Sequence, residues 1–301
     1  MSTFAPPVSA GIWGSECGVV SWGGEKACGR EHVHSCMGVA ISSCLPTPPP
    51  PQQRRIPRQA PTKPVGWWGD GDGQKILGGR DEQGGGTWMG CTRGGKVAFL
   101  TNFREPDPWS GSRSRGELPK RFLESTKCPS EFAEEIVKEA DQYNGFNLIV
   151  ADLCTKSMFY ISNRPKGKPV SLLEVLPGIH VLSNANLDSP WPKAERLRRG
   201  FSEVLASCRD EELCMKDIVE ELMCDKTKAE RNMLPMTGCS PEWELEVSSI
   251  FIETHRKQGL YGTRNMGALS VKTSGEVSFY ERYMENSNWN EHVFQYHVEQ
   301  L

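Results

Sequence analysis

The chain has 301 residues, 37% apolar and 24% charged, enough for one large packed domain or two small ones with some non-globular sequence besides. A net charge of −3 argues against a general electrostatic grip on nucleic acid or an anionic membrane. No apolar run reaches the ~18–20 residues that span a bilayer, the first residues lack the pattern of a secretory signal, and the 11 cysteines form no paired framework. A reducing compartment is expected, the cytoplasm first, with an organelle left open.

Residues 1–57 are rich in Gly, Ser and Pro and end near the run Pro48 to Pro51, so most of this segment is expected to be disordered. It holds Cys28, His32, His34 and Cys36, which are metal-ligating types without the paired spacing of a metal site, and no metal is expected. Residues 58–301 read as the folded domain. Trp67 and Trp68, beside a Gly-rich stretch, suggest a loop pinned by aromatic anchors. Lys96 to Thr101 is a short apolar run after Gly94-Gly95 and reads as a buried strand. Phe103 to Lys127, broken by Pro106, Pro108 and Pro119, reads as a long connection.

A helix is expected from Pro129-Ser130 to about Tyr143, with Phe132, Ile136 and Ala140 on one face and Glu131, Glu134 and Glu135 near its start. Phe146 to Ala151 and Met158 to Ser162 read as a hairpin buried on both faces, and Ile179 to Ser183 as a strand ending at Asn184. Ser189-Pro-Trp-Pro opens a second helix carrying Leu197, Phe201, Val204 and Leu205, and Glu211 to Met223 gives a third. The acidic pair Glu211-Glu212 reads as its solvated start. Val247 to Glu253, Gly267 to Lys272 and Glu276 to Arg282 read as strands, with Thr273-Ser-Gly275 as a hairpin turn. Periodicity alone supports mixed α and β.

Lys75 to Glu105 organises the rest. Its first half is dense in glycine (Gly78, Gly79, Gly84, Gly85, Gly86, Gly90), which allows tight turns and close backbone approach. Its second half ends in Thr101-Asn102, where a side-chain amide either donates to a ligand oxygen or simply caps the strand. Cys91 is an internal thiol with no His or Asp near it in sequence, and reads as a small core residue.

The blocks Gly78-Gly-Arg-Asp, Gly85-Gly-Thr-Trp-Met-Gly, Val97-Ala-Phe-Leu-Thr-Asn-Phe-Arg-Glu, Ser114-Arg-Gly-Glu-Leu-Pro, Tyr143 to Asp152, Gly178 to Asn184, Leu187 to Lys193 and Tyr261-Gly-Thr-Arg resemble the NRDE family, in order, from about Pro61 onward. The resemblance implies a four-layer α/β/β/α sandwich of the N-terminal-nucleophile-hydrolase kind. It also implies roles in Golgi organisation, protein secretion and haem trafficking, with Golgi or mitochondrial association. Family members open with Met-Cys, followed by a strand and then the Asn-Arg-Asp-Glu motif. This chain begins Met1-Ser2-Thr3 and has no such motif; Arg80-Asp81-Glu82 belongs to the Gly-Gly-Arg-Asp block. The expectation is a sandwich lacking its first strands and its nucleophile, and a chain without catalysis.

By the same resemblance Asn102, Asn184 and Arg264 match three positions of the family's site and form a candidate half-site for ligand binding. An Arg there suits a carboxylate or phosphate, whereas structurally it would be a salt-bridge partner. Two alternatives stay open. One is an amide hydrolase whose cysteine lies in a different first exon. The other is a haem or hydrophobic-ligand carrier, for which His180 and His255 would be the iron ligands, although a histidine within an apolar strand is more often a hydrogen-bonded core residue.

Overall fold

The structure is a computed structural model that describes residues 10–13, 17–22, 35–41, 62–69, 75–82, 84–207, 214–256 and 259–299. The chain opens with β1 (Ala10–Trp13), β2 (Cys17–Trp22) and β3 (Ser35–Ile41). It continues with β4 (Thr62–Trp68), β5 (Ile76–Asp81), β6 (Met89–Thr92) and β7 (Lys96–Asn102). Helices α1 (Glu117–Glu124) and α2 (Pro129–Glu139) precede β8 (Phe146–Asp152), β9 (Ser157–Ser162), β10 (Ser171–Glu174) and β11 (Gly178–Ser183). Then come α3 (Pro192–Ser207), α4 (Met215–Leu222) and α5 (Pro241–Glu246), followed by β12 (Glu253–Arg256), β13 (Gly259–Gly262), β14 (Asn265–Val271), β15 (Glu276–Glu285) and β16 (Asn288–His297).

Two sheets stack face to face. One is an antiparallel meander in the order β10-β9-β8-β7-β6-β5-β4; the other runs β11-β2-β1-β14-β15-β16, with β3 paired to β2. Alternation along the meander strands explains the layering. Val97, Phe99, Ile149, Ala151, Met158 and Tyr160 point into the core shared with the second sheet. Ala98, Leu100, Leu148, Val150 and Ile161 point outward under Phe122 of α1 and Phe132 and Ile136 of α2. Helices α3 and α4 cover the outer face of the second sheet through Ala194, Leu197, Phe201, Ile218 and Val219. The architecture is therefore a four-layer α/β/β/α sandwich, and β7 and β8 are apolar on both faces because both faces are covered.

Strands within residues 10–41 correct the expectation that the sandwich lacks its first strands. The β2 run Cys-Gly-Val-Val-Ser-Trp pairs with β11 from Cys17–Ser183 to Trp22–Gly178, and β1 joins β2 to β14. Without β1 and β2 the facing backbones of β11 and β14 would be left unpaired, and these two strands fill the slot between them. Cys28, His32, His34, Glu211 and Glu212 lie outside the described residues, and of Cys36 only the backbone on β3 is described.

Other departures have local causes. The presumed loop at Trp67 and Trp68 is β4, the edge of the meander, bulged between Lys63 and Gly66. The presumed connection before Lys127 contains α1, whose Leu118, Phe122 and Leu123 are buried. Lys96 ends that helix: its Nζ donates to the carbonyls of Ser125 and Lys127, both at 2.7 Å, and of Phe122 at 3.4 Å. Val247 to Ile252 form no strand; Val247 and Ile252 fill a small satellite core with Tyr261 and Trp243. α2 starts as expected, with the Cys128 N–H donating to Glu131 Oε2 at 3.0 Å. The glycines of the organising stretch serve close approach: a Cβ on Gly78 would sit 2.4 Å from the Met89 carbonyl oxygen, and one on Gly86 2.2 Å from the Gly116 backbone.

Candidate functional site

Strands β7 and β11 end side by side, one in each sheet, and their ends are sewn together by polar groups. Thr101 Oγ1 donates to the Ser183 carbonyl at 2.9 Å. Asn147 Nδ2 donates to Thr101 Oγ1 at 3.1 Å, and Asn147 Oδ1 accepts from the Tyr160 hydroxyl at 2.8 Å. One residue further on, Asn184 Nδ2 donates to the Asn102 carbonyl at 2.9 Å, and the Arg104 N–H donates to the Asn184 carbonyl at 2.7 Å. The structure thus brings two of the three sequence-derived candidates together.

Arg104 is the hub that sequence reasoning missed. Its Nη2 donates to Asn184 Oδ1 at 2.9 Å, its Nη1 to Glu244 Oε2 at 2.8 Å, and its guanidinium carbon lies 5.2 Å from the centre of the Trp191 ring. The Arg104–Glu244 pair is 7% and 2% exposed, so both charges have left water, and each compensates the other. Thr237 Oγ1 donates to the second oxygen of Glu244. Lys193, also buried, donates to the Val247 carbonyl at 3.2 Å. The amide of Asn184 therefore works as a clamp between sheet ends. Arg104 stands two residues after Asn102, whereas Glu244 lies 140 residues away, a separation that no spacing reveals.

Arg264 lies at the same end of the second sheet. Register links Gly267 to Trp13, Trp13 to Gly18 and Gly18 to Leu182, so the start of β14 and the end of β11 share one edge. At about 4.8 Å per strand step they stand roughly 14 Å apart across that edge. The Arg264 side chain is half-buried, burial lowers its pKa, and among the described residues no carboxylate pairs with it. β2 also starts at this edge, with buried Cys17 opposite Ser183.

The other candidates stand in different settings. Cys91 is buried with Sγ 3.8 Å from the Leu77 carbonyl, and burial pushes its thiol up to about 12 despite a hydrogen bond with Tyr296, which disfavours the reactive thiolate. His180 has both ring nitrogens engaged, Nδ1 with Asp188 Oδ2 at 2.7 Å and Nε2 with the Leu176 carbonyl at 2.8 Å, which leaves neither for iron. His255 is exposed on β12 of the two-stranded β12–β13 hairpin. Among the described residues no group of three or more His, Cys, Asp or Glu side chains could hold a metal ion.

The solved structures to which the chain is similar include a conjugated bile acid hydrolase from Clostridium perfringens, with TM-score 0.42, 8% identity and 98% of each chain covered. A penicillin V acylase from Agrobacterium tumefaciens has TM-score 0.38 and 9% identity, covering 99% of this chain and 87% of that one. Likeness at that level carries no argument about chemistry. The profile of Transport and Golgi organisation 2 matches residues 57–286. The Transport and Golgi organization 2 homolog of Mus musculus and its Homo sapiens counterpart are each 32% identical over 248 residues, 78% of this chain and 87% of theirs. The chain belongs to the Transport and Golgi organisation 2 family.

Proposed function

We propose that the chain serves Golgi organisation and protein secretion as a non-catalytic member of its family that binds an anionic amphiphile, with haem as the ligand to test first. The observation that carries this reading is Arg264, a half-buried guanidinium at the site edge with no carboxylate partner among the described residues. A planar guanidinium partly removed from water matches a carboxylate or phosphate with two parallel hydrogen bonds, and haem carries two carboxylates. Two further observations support binding without cleavage: the Asn184 amide is engaged in the sheet clamp, and the Cys91 thiol is held protonated. The proposed place of work is the cytoplasm, in association with the Golgi or with mitochondria; among the described residues no helix is long and apolar enough to cross a membrane. Titration with haem, followed by the Soret band, tests the reading. Micromolar binding weakened about tenfold or more by Arg264→Ala is expected, the loss of one charge-assisted contact. No binding, or binding indifferent to Arg264→Ala, overturns it.

A second reading, an amide hydrolase, rests on one observation: Cys17 opens β2 opposite Ser183, next in line to Asn184. An internal cysteine has no α-amino base, so this reading requires hydrolysis of the Glu16–Cys17 peptide bond by water, which frees the amine of Cys17. Intact mass would report that cleavage. Amide hydrolysis that appears with it and vanishes in Cys17→Ser would displace the first reading. A protein that keeps residues 1–16 and cleaves no amide excludes the second.

A further inference from the structure

The loop that carries Asn184 and Trp191 returns along the free edge of β11 and is held there by one residue. The Asp188 N–H donates to the Val181 carbonyl and the Val181 N–H donates to Asp188 Oδ1, both at 2.8 Å, so Asp188 acts as a short piece of strand. Asp188 adopts φ +60°, a left-handed conformation that its local contacts must maintain. Arg198 of α3 donates to Asp188 Oδ1 and, at 2.6 Å, to the Ile179 carbonyl. The remaining oxygen, Oδ2, faces His180 Nδ1, while His180 Nε2 faces the Leu176 carbonyl in the turn between β10 and β11.

Both partners of the His180 ring are acceptors. A neutral imidazole has one N–H and one lone pair, so it can satisfy only one of them; the other contact would set lone pair against lone pair. Only the imidazolium donates to both. We infer that His180, as an imidazolium, is the positioning residue that ties the Leu176 turn to the Asp188 loop, so that this bridge between turn and loop is broken, and the loop less braced, when the ring loses its proton. Charge on the surrounding elements agrees. Asp188 favours the protonated ring, Arg198 opposes it, Glu195 lies 4.0 Å from Arg198, and β2 presents Val20 opposite His180. The net effect raises the ring's pKa from its ordinary value, led by the hydrogen bond to Asp188.

The loop effect is independent of the proposed ligand and fails or stands by itself. Hydrogen exchange over residues 179–191, from pH 5.5 to 8.5 and corrected for base catalysis, reads the tie directly. Protection at Val181 and Asp188 is expected to fall about tenfold, the order of one hydrogen bond, with a midpoint above the ordinary imidazole value of about 6.5. His180→Gln, which does not titrate, is expected to give a flat profile at the lower protection. A ring titration of His180 by NMR in the unaltered protein needs no variant. A midpoint at or below about 6.5, or protection that stays level through it, would overturn the inference.

Discussion

Glu281 provides a quantitative test of how the two sheets are joined. Its carboxylate reaches from β15 to accept from the Val65 N–H of β4 at 2.7 Å and from Asn265 Nδ2 at 3.0 Å. It is 1% exposed, both donors are neutral, and the nearest ring nitrogen, His292 Nδ1, is 3.9 Å away. Burial pushes the carboxyl from 4.5 to about 7, with the two hydrogen bonds pulling the other way. A raised folded-state value means that, between those limits, the unfolded chain loses its proton first and the folded chain holds more protons. Stability therefore falls as pH rises through this window. The cost is absent below 4.5 and complete above about 7. At 1.36 kcal/mol per pH unit it comes to about 3 kcal/mol. Glu281→Gln keeps a carbonyl acceptor and removes the ionisation, so the variant is expected to match the parent near pH 4.5 and exceed it by up to about 3 kcal/mol at pH 8. Urea unfolding of both proteins at pH 4.5, 6 and 8 measures the difference. Parallel pH profiles would show that Glu281 is not a buried carboxylate and refute the reasoning.

Glu244→Ala strands the Arg104 guanidinium out of water and is expected to cost about 3–5 kcal/mol by urea unfolding, while Arg104→Met with Glu244→Leu costs less; equal losses would mean that the pair is not coupled. Lys96→Met leaves the carbonyls of Ser125 and Lys127 without their donor and is expected to lose about 1–3 kcal/mol in the same assay, with α1 showing the largest rise in hydrogen exchange. Cys91, with its thiol at about 12, is expected to resist iodoacetamide at pH 8 until denaturant is added; rapid labelling of the folded protein, located by peptide mass, would contradict its burial.

Where one segment's own pattern decides the outcome, the sequence sufficed. β7, β8 and β9 were legible because each is an apolar run covered on both faces, and α2 because Phe132 and Ile136 recur at helical spacing behind an acidic first turn. Family blocks supplied Asn102, Asn184 and Arg264 as candidates, and the fold sets all three at one end of the sandwich. Hydrophobicity records burial, however, and not the backbone shape that achieves it. Val247 to Ile252 are apolar and buried yet turn around a satellite core, while α1 hides behind Pro119, which is tolerated in its first turn. The early residues pair because β11 and β14 leave a slot open between them, a demand that no composition of residues 1–57 expresses. Tertiary structure alone decided the partnerships: Arg104 with Glu244, Glu281 with Val65, and His180 between two acceptors. The first two span 140 and 216 positions, and a charge finds its distant partner only when packing removes both from water.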